Sequence, residues 1–286
     1  MGQDYLTDSQ LKAIMPLCNA EKRKIFTPYL NLSMAYFRIN TELRVSMYLA
    51  HLAHESTDLT PWVENLNYSA SRLTQVWSRR FPTLEAAAPY AHNPKALANK
   101  VYNGRMGNRI GTNDGFLYRG RAPLQATGRD MYAKLTESIG RDFNVDFVAN
   151  PDLLLTVQYC FLSSAWIFAV EKNCLPLADR RDLEGTTRRI NGGTNGLKDR
   201  LQNYRTALAV LPDSFNLKSY AQFQTEMFGS ERVIANASKA NNQSRLTVTN
   251  QDLIHLDIPT TSAAPADNSP QDGPSDVPSE NFSSDS

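Results

Sequence analysis

The sequence predicts a mainly helical domain followed by an acidic tail that does not fold. Three observations carry this expectation. Apolar residues recur at helical spacing as far as about Leu211, polar Gly and Asn clusters interrupt them, and the composition changes near Pro259. At 286 residues, 41% of them hydrophobic, the chain can bury one sizeable core, or one domain of about 200 residues with extensions.

Asp8 is placed to cap a first helix through Leu11, Ile14 and Met15. A second is expected from Glu42 to about His54, capped by Asn40 or Thr41, with Val45, Leu49 and Leu52 on one face. Asn103 to Gly120 holds five glycines and three asparagines and reads as loop or short strand. A strong helix follows from about Leu153 to Val170. Asn191-Gly192-Gly193 then breaks the chain before a last helix from about Lys198 to Leu211. Beyond Pro212 the pattern weakens, apart from an amphipathic stretch from Tyr220 to Phe228. From Pro259 onward only Val277 and Phe282 offer bulk, too little apolar surface to offset the entropy of ordering. The expected organisation is a domain over residues 1–212, a partly helical extension over 213–250, and an acidic Pro/Ser-rich disordered tail over 251–286.

The formal net charge of +1 hides an asymmetry. From Gln251 onward there are seven carboxylates and no Lys or Arg, so the first 250 residues hold 30 basic residues against 22 acidic ones. Such a body favours a polyanionic partner, nucleic acid and bacterial cell wall among them, though a solvated basic surface with no partner fits as well. Arg72, Arg79, Arg80, Lys95, Lys100 and the other basic residues follow no recognition motif, so no nucleic acid is expected. Three cysteines, Cys18, Cys160 and Cys174, are too few and too odd for a disulfide scaffold, and Cys160 reads as core. The first residues lack the pattern of a signal peptide, and no apolar run approaches the roughly 18 residues of a membrane span. Cytoplasmic synthesis is expected, with delivery needed for any substrate outside.

The run His51-Leu-Ala-His54-Glu55-Ser56 raises a metal reading first. Zinc proteases need His-Glu-x-x-His or its inverse, and the order here is neither, with only His92 and His255 left as further histidines. No metal and no cofactor are expected. The carboxylates offer more. Glu55 closes an apolar helix, where partial burial would raise its pKa towards that of a general acid. Glu64 follows nine residues later among Trp62, Asn65, Asn67 and Tyr68, a polar setting that would keep it ionised. One raised and one ordinary carboxyl suit glycoside hydrolysis, although two glutamates at this spacing are more often surface residues. Trp62, Tyr68, Tyr102, Tyr118, Gln125, Thr127, Asn191 and Asn195 fall in or beside the Gly-rich breaks, where rings and amides could hold sugar; the competing reading is that the aromatics are core.

Five ordered motifs then carry a resemblance: Leu52-Ala-His-Glu-Ser56 with Glu64-Asn-Leu-Asn-Tyr-Ser69, Val101-Tyr-Asn-Gly-Arg-Met-Gly-Asn108, Asp114-Gly115, Tyr118-Arg-Gly-Arg121, and Arg189-Ile-Asn-Gly-Gly193. Over about residues 8 to 211 the chain resembles glycoside hydrolase family 19, the plant-type chitinases and the phage or bacterial endolysins. The resemblance implies a lysozyme-like α+β fold, mainly α, that inverts the anomeric carbon. It implies Glu55 as general acid, Glu64 as general base, and Gln125 and Thr127 as the pair that holds sugar and the attacking water. Asn191 matches a substrate-binding Asn, Arg200 an Arg that orients the acid, and Tyr68 and Tyr118 are taken as sugar contacts. Two departures stand out: Ala122 where members commonly have Gly, and Met131 where they have Asn.

The leading expectation is an inverting endo-glycosidase that cuts the β-1,4 bonds of peptidoglycan, as an endolysin or a delivered wall-degrading effector. The alternatives are the same chemistry on chitin oligomers and a catalytically weak carbohydrate-binding protein. A delivery or secretion partner acting through the tail is one reading of that segment; a tether or no role are the others.

Overall fold

The computed structural model describes residues 3–60 and 62–228. The expectations for residues 229–250 and for the acidic tail over 251–286 lie outside the described residues. The chain runs through α1 (Asp8–Ile14), α2 (Ala20–Tyr36), α3 (Glu42–Ser56), α4 (Ala70–Val76), α5 (Leu84–Ala87), α6 (Pro94–Tyr102), α7 (Asp114–Leu117), α8 (Arg129–Phe143), α9 (Val157–Trp166), α10 (Leu175–Asp179), α11 (Leu183–Asn191), α12 (Leu197–Val210) and α13 (Tyr220–Phe228). The architecture is mainly α, as expected. The β part of the implied α+β class is reduced, among the described residues, to isolated antiparallel bridges: Thr41 with Asn216, Val63 with Arg121, and Arg121 with Ala126. No described helix is long and apolar enough to cross a membrane.

Local chemistry explains where the helices begin. Thr7, one residue before the expected Asp8, caps α1 through a reciprocal box: its hydroxyl accepts from Gln10 N at 3.3 Å, and the Gln10 side chain accepts from Thr7 N at 3.0 Å. Thr41 caps α3, which runs two residues past His54 and so carries Glu55 in its last turn. The 17-residue α2 was not anticipated. It contains Pro28, and it buries Thr27, Asn31 and Ser33 beside Phe26, Leu30, Leu32 and Met34, so no single apolar stripe marks it. Asn31 replaces that signal with a specific contact, accepting from Leu6 N at 2.7 Å and donating to Leu6 O at 2.9 Å. The helix expected over Leu153 to Val170 divides into a 3₁₀ turn (Pro151–Leu155), α9 and a π turn (Ile167–Glu171). Cys160 and Trp166 lie in the core, and Cys18, Cys160 and Cys174 are all free and buried.

Two apolar clusters form instead of one. The larger gathers α2, α3, α9 and α12, with the Phe26 ring tilted against Trp62 at 5.1 Å and edge-on to Phe161 at 5.3 Å. The smaller joins Leu66, Leu73, Trp77, Phe81, Leu97 and Val101, drawn from α4, α6 and the chain around them. The segment between Glu55 and Glu64 therefore links two separately packed bodies of side chains.

The described part of the expected extension belongs to the larger cluster. Phe215, Leu217 and Phe223 are buried in it, Leu217 N donates to Asn40 O at 2.8 Å, and the Tyr36 and Tyr220 rings meet at 4.8 Å. Pro212 is thus followed by chain that completes the same core. Replacing Phe215, 3% exposed, by Ala is expected to cost about 3 kcal/mol, read as a lower denaturant midpoint at unchanged slope.

Candidate active site

The path from Glu55 to Glu64 is set by an unusual turn. Thr57, Asp58 and Leu59 have φ of 45°, 57° and 64°, three successive non-glycine residues in the left-handed region. Their conformation is over-determined by contacts. Ser56 Oγ donates to Leu52 O at 2.6 Å and accepts from Leu59 N at 2.9 Å, Asp58 Oδ2 accepts from Leu17 N at 3.0 Å, and Leu59 is buried. The turn ends α3 and allows both carboxylates to be reached within ten residues.

Glu55 faces α12. Its Oε1 accepts from Arg200 Nη2 at 2.5 Å, with the Arg200 side chain 1% exposed and that of Glu55 18%. Nε and Nη1 of Arg200 are buried with no protein partner, so Glu55 is the one carboxylate that compensates this cation among the described residues. The apolar pocket expected around Glu55 is instead an ion-pair setting. Two histidines brace the same helix end. His54 Nδ1 donates to Asp199 Oδ2 at 2.6 Å, and its ring lies so close over Gly196 that a Cβ there would stand 2.2 Å from it. His51 is fully buried, donates from Nδ1 to Met47 O at 2.9 Å, and is held neutral, its pKa pushed down to about 3 by burial and then by the nearby Arg200. Among the described residues no three His, Cys, Asp or Glu side chains are grouped to hold a metal ion.

Glu64 sits between the two clusters. Its Oε2 accepts from the Tyr102 hydroxyl at 2.7 Å and its Oε1 from Gly120 N at 2.6 Å, while its own N–H donates to Gly120 O at 3.0 Å. Tyr102 belongs to the smaller cluster, and the flanking bridge from Val63 to Arg121 ties the segment to the loop beside the larger one. The solvated setting expected here becomes a desolvated one that keeps polar partners. Burial pushes the Glu64 carboxyl above its ordinary value of 4.5, against the opposing pull of Tyr102, Gly120 N–H, Arg119 and Arg121.

Gln125 and Thr127 lie against the same peptide. A Cβ on Gly120 would meet Gln125 Oε1 at 2.2 Å and Thr127 Oγ1 at 3.2 Å, so only glycine lets the Glu64 clamp and the two polar side chains share this space. The bridge from Arg121 to Ala126 closes the loop. Ala122, fully buried at φ 65°, occupies a conformation glycine would take without strain. Arg121, 1% exposed, anchors the loop through Asp152, Leu117 O and the Tyr132 hydroxyl.

The remaining predicted contacts divide. Asn191 is exposed at the end of α11, its amide directed to Asn195 O at 3.4 Å, with Gly192 at φ 76° closing the helix. Tyr68 is half-buried, its ring 5.4 Å from Trp77. Tyr118 is 5% exposed, packed on Tyr132 with its hydroxyl donated to Val148 O at 3.1 Å, a packing role that leaves little ring surface for sugar. Trp62 is likewise core, tilted against Phe26 and edge-on to Phe161. Met131 packs against the larger cluster. Two surface cavities, of about 410 and 570 Å³, touch neither glutamate.

Cleaving a glycosidic bond takes two carboxyl groups in different surroundings, and Glu55, paired with Arg200, and Glu64, clamped by Tyr102 and Gly120, are held in different surroundings. The likeness to known proteins narrows this. A Haemophilus influenzae protein named as a glycosyl hydrolase family 19 domain-containing protein is 37% identical over 170 residues, spanning 59% of this chain and 80% of that one. The chain belongs to glycoside hydrolase family 19. No family model matches it. Among solved structures it is similar to a bacterial family 19 chitinase (17% identity, TM-score 0.48, 74% of this chain and 98% of that one). It is also similar to chitinase C from Streptomyces griseus HUT6037 (16%, 0.46, 75% and 81%).

Proposed function

We propose that the protein is an inverting endo-glycosidase that cuts the β-1,4 bonds of peptidoglycan, with Glu55 as general acid and Glu64 as general base. The observation that carries the assignment of roles is the contrast in how the two carboxyls are held. Glu64 has both oxygens clamped, by Tyr102 and Gly120, in a desolvated position. A carboxylate whose pKa is pushed up is the stronger base once ionised, and one that cannot swing free is suited to aligning a water rather than bonding to carbon. Gln125 and Thr127 stand beside Gly120, where they support placing that water and a sugar amide. Glu55, oriented by Arg200, is left to deliver a proton to the leaving oxygen. Asn191 and Tyr68 remain candidate sugar contacts at the margins.

Gly120→Ala tests the clamp. The methyl collides with Gln125 and shifts the N–H that holds Glu64, so kcat is expected to fall about 100-fold with the fold retained, measured by steady-state hydrolysis and circular dichroism. Unchanged kcat would remove the Gly120 clamp from the mechanism.

Peptidoglycan is preferred to chitin because the first 250 residues hold 30 basic side chains against 22 acidic ones, a balance suited to an acidic wall polymer. An endolysin or a delivered effector is the corresponding biological setting, with the tail as a candidate delivery element. Mass spectrometry of fragments released from purified peptidoglycan and from chitin oligomers, with the anomer resolved by NMR, tests substrate, bond and stereochemistry together. Release from chitin alone would reject the peptidoglycan reading, and a retained anomer would reject Glu64 as base.

A further inference from the structure

The basic charge of the body is unevenly distributed. Residues 65–108, which build the smaller cluster, hold six basic side chains against Glu85 alone, so most of the excess positive charge falls in this short stretch. Elsewhere many cations are neutralised in place: Arg23 by Asp8, Arg44 by Asp179, Arg121 by Asp152, Lys134 by Glu171 and Lys218 by Glu226. In the small lobe Arg79, Arg80, Lys95, Lys100 and Arg105 are exposed, and none makes an ion pair among the described residues. Their field is therefore directed outward rather than spent within the fold.

This lobe also adjoins the reacting groups. Its helix α6 ends in Tyr102, which touches Glu64, and Arg105 in the following loop lies close enough to Tyr102 to act on its phenol. The small lobe therefore supplies one of the two groups that clamp Glu64.

We propose that the lobe of residues 65–108 is an anion-docking surface that recruits a glycan strand through the strand's own carboxylates. It rests on the reading of Glu55 and Glu64 as a glycan-cleaving pair and deepens it by stating what distinguishes the favoured strand: acidic side groups, which a neutral amino-sugar polymer lacks. A nucleic acid or an anionic lipid would feel the same field. The connection through Tyr102 to Glu64 favours the polymer that is cut. Surface charges of this kind act on encounter and on KM, and salt screens them, whereas kcat depends on the groups around Glu64.

The test compares the full chain with its Arg79→Gln/Arg80→Gln/Lys95→Gln variant on peptidoglycan sacculi, on sacculi whose carboxylates are capped as amides, and on chitin oligomers. On intact sacculi at low salt the variant is expected to lose about tenfold in kcat/KM with kcat unchanged, and the loss should vanish at high salt and on the capped and neutral substrates. An equal loss on all three substrates, or none on intact sacculi, overturns the proposal. Co-sedimentation of Glu64→Gln protein with intact and capped sacculi keeps the surface separable from the catalytic reading. Carboxylate-dependent pelleting supports the surface even if wild type cuts nothing, and indifference to capping overturns it even if wild type cuts well. Retention on DNA or on anionic vesicles at physiological salt, abolished by the same three substitutions and without any dependence on sacculus carboxylates, would reassign the lobe to that partner.

Discussion

Glu64→Gln is expected to lower kcat by at least about 1,000-fold while making the protein more stable at neutral pH. The two effects share one cause. Burial raises the folded-state pKa of Glu64 above the 4.5 of an exposed glutamate, so the native state binds that proton more tightly than the unfolded chain does. The wild type is then relieved of its penalty below about pH 4.5 and loses stability as pH rises through the folded pKa, where a charge must be kept in a desolvated place. Glutamine keeps the acceptor for Tyr102 or Gly120 and never carries that charge. Denaturant melts of both proteins across pH should diverge above 4.5, with the variant the more stable, and coincide below it. The same displacement fixes the acid limb of the activity profile, which should lie above the ordinary carboxylate range. A variant less stable at pH 7, or an acid limb at 4.5 or lower, would show that the site does not strain this carboxylate.

Glu55→Gln is expected to inactivate the enzyme comparably and to have the contrary effect on stability. Arg200 is 1% exposed, and two of its three nitrogens lack a protein partner, so Glu55 supplies its compensating charge. Glutamine can still accept one hydrogen bond but leaves a buried guanidinium uncompensated, a loss of about 2 kcal/mol at neutral pH. The double variant with Arg200→Met should recover much of this stability and none of the activity. If Glu55→Gln melted like wild type, the ion pair would carry no structural weight and the orientation of the acid would need another source.

These contrary signs could not be read from the linear chain. Glu55 at the end of an apolar helix suggested a desolvated acid, and Glu64 among asparagines suggested a solvated base. Folding reverses the surroundings, because Arg200 arrives from a helix 145 positions away, while Tyr102 and Gly120 enclose Glu64 from two different bodies. The choice between sugar contact and core for the aromatics stayed open in the sequence for a related reason. Trp62 and Tyr118 lie beside polar loop residues in sequence, yet face inward onto Phe26, Phe161 and Tyr132. Helix α2 was invisible because it is buried on several faces and carries Pro28, whereas α3 and α12 were legible from their apolar spacing and their bounding cap or break.

By itself the sequence determined the helical class, the break at Asn191 to Gly193 and the basic excess of the body, whereas the stretch from Asn103 to Gly120, read as loop or short strand, holds the short helix α7 (Asp114–Leu117). Those features are local: spacing, capping, glycine conformation and composition act within a few residues. Only the tertiary structure decided that there are two packed clusters, that chain beyond Pro212 completes the larger one, which carboxyl is desolvated and which is paired, and that five exposed cations of the small lobe make no ion pair among the described residues. Each of these depends on groups far apart in the chain approaching to within a few ångströms, where burial and charge act, and no local pattern encodes that distance.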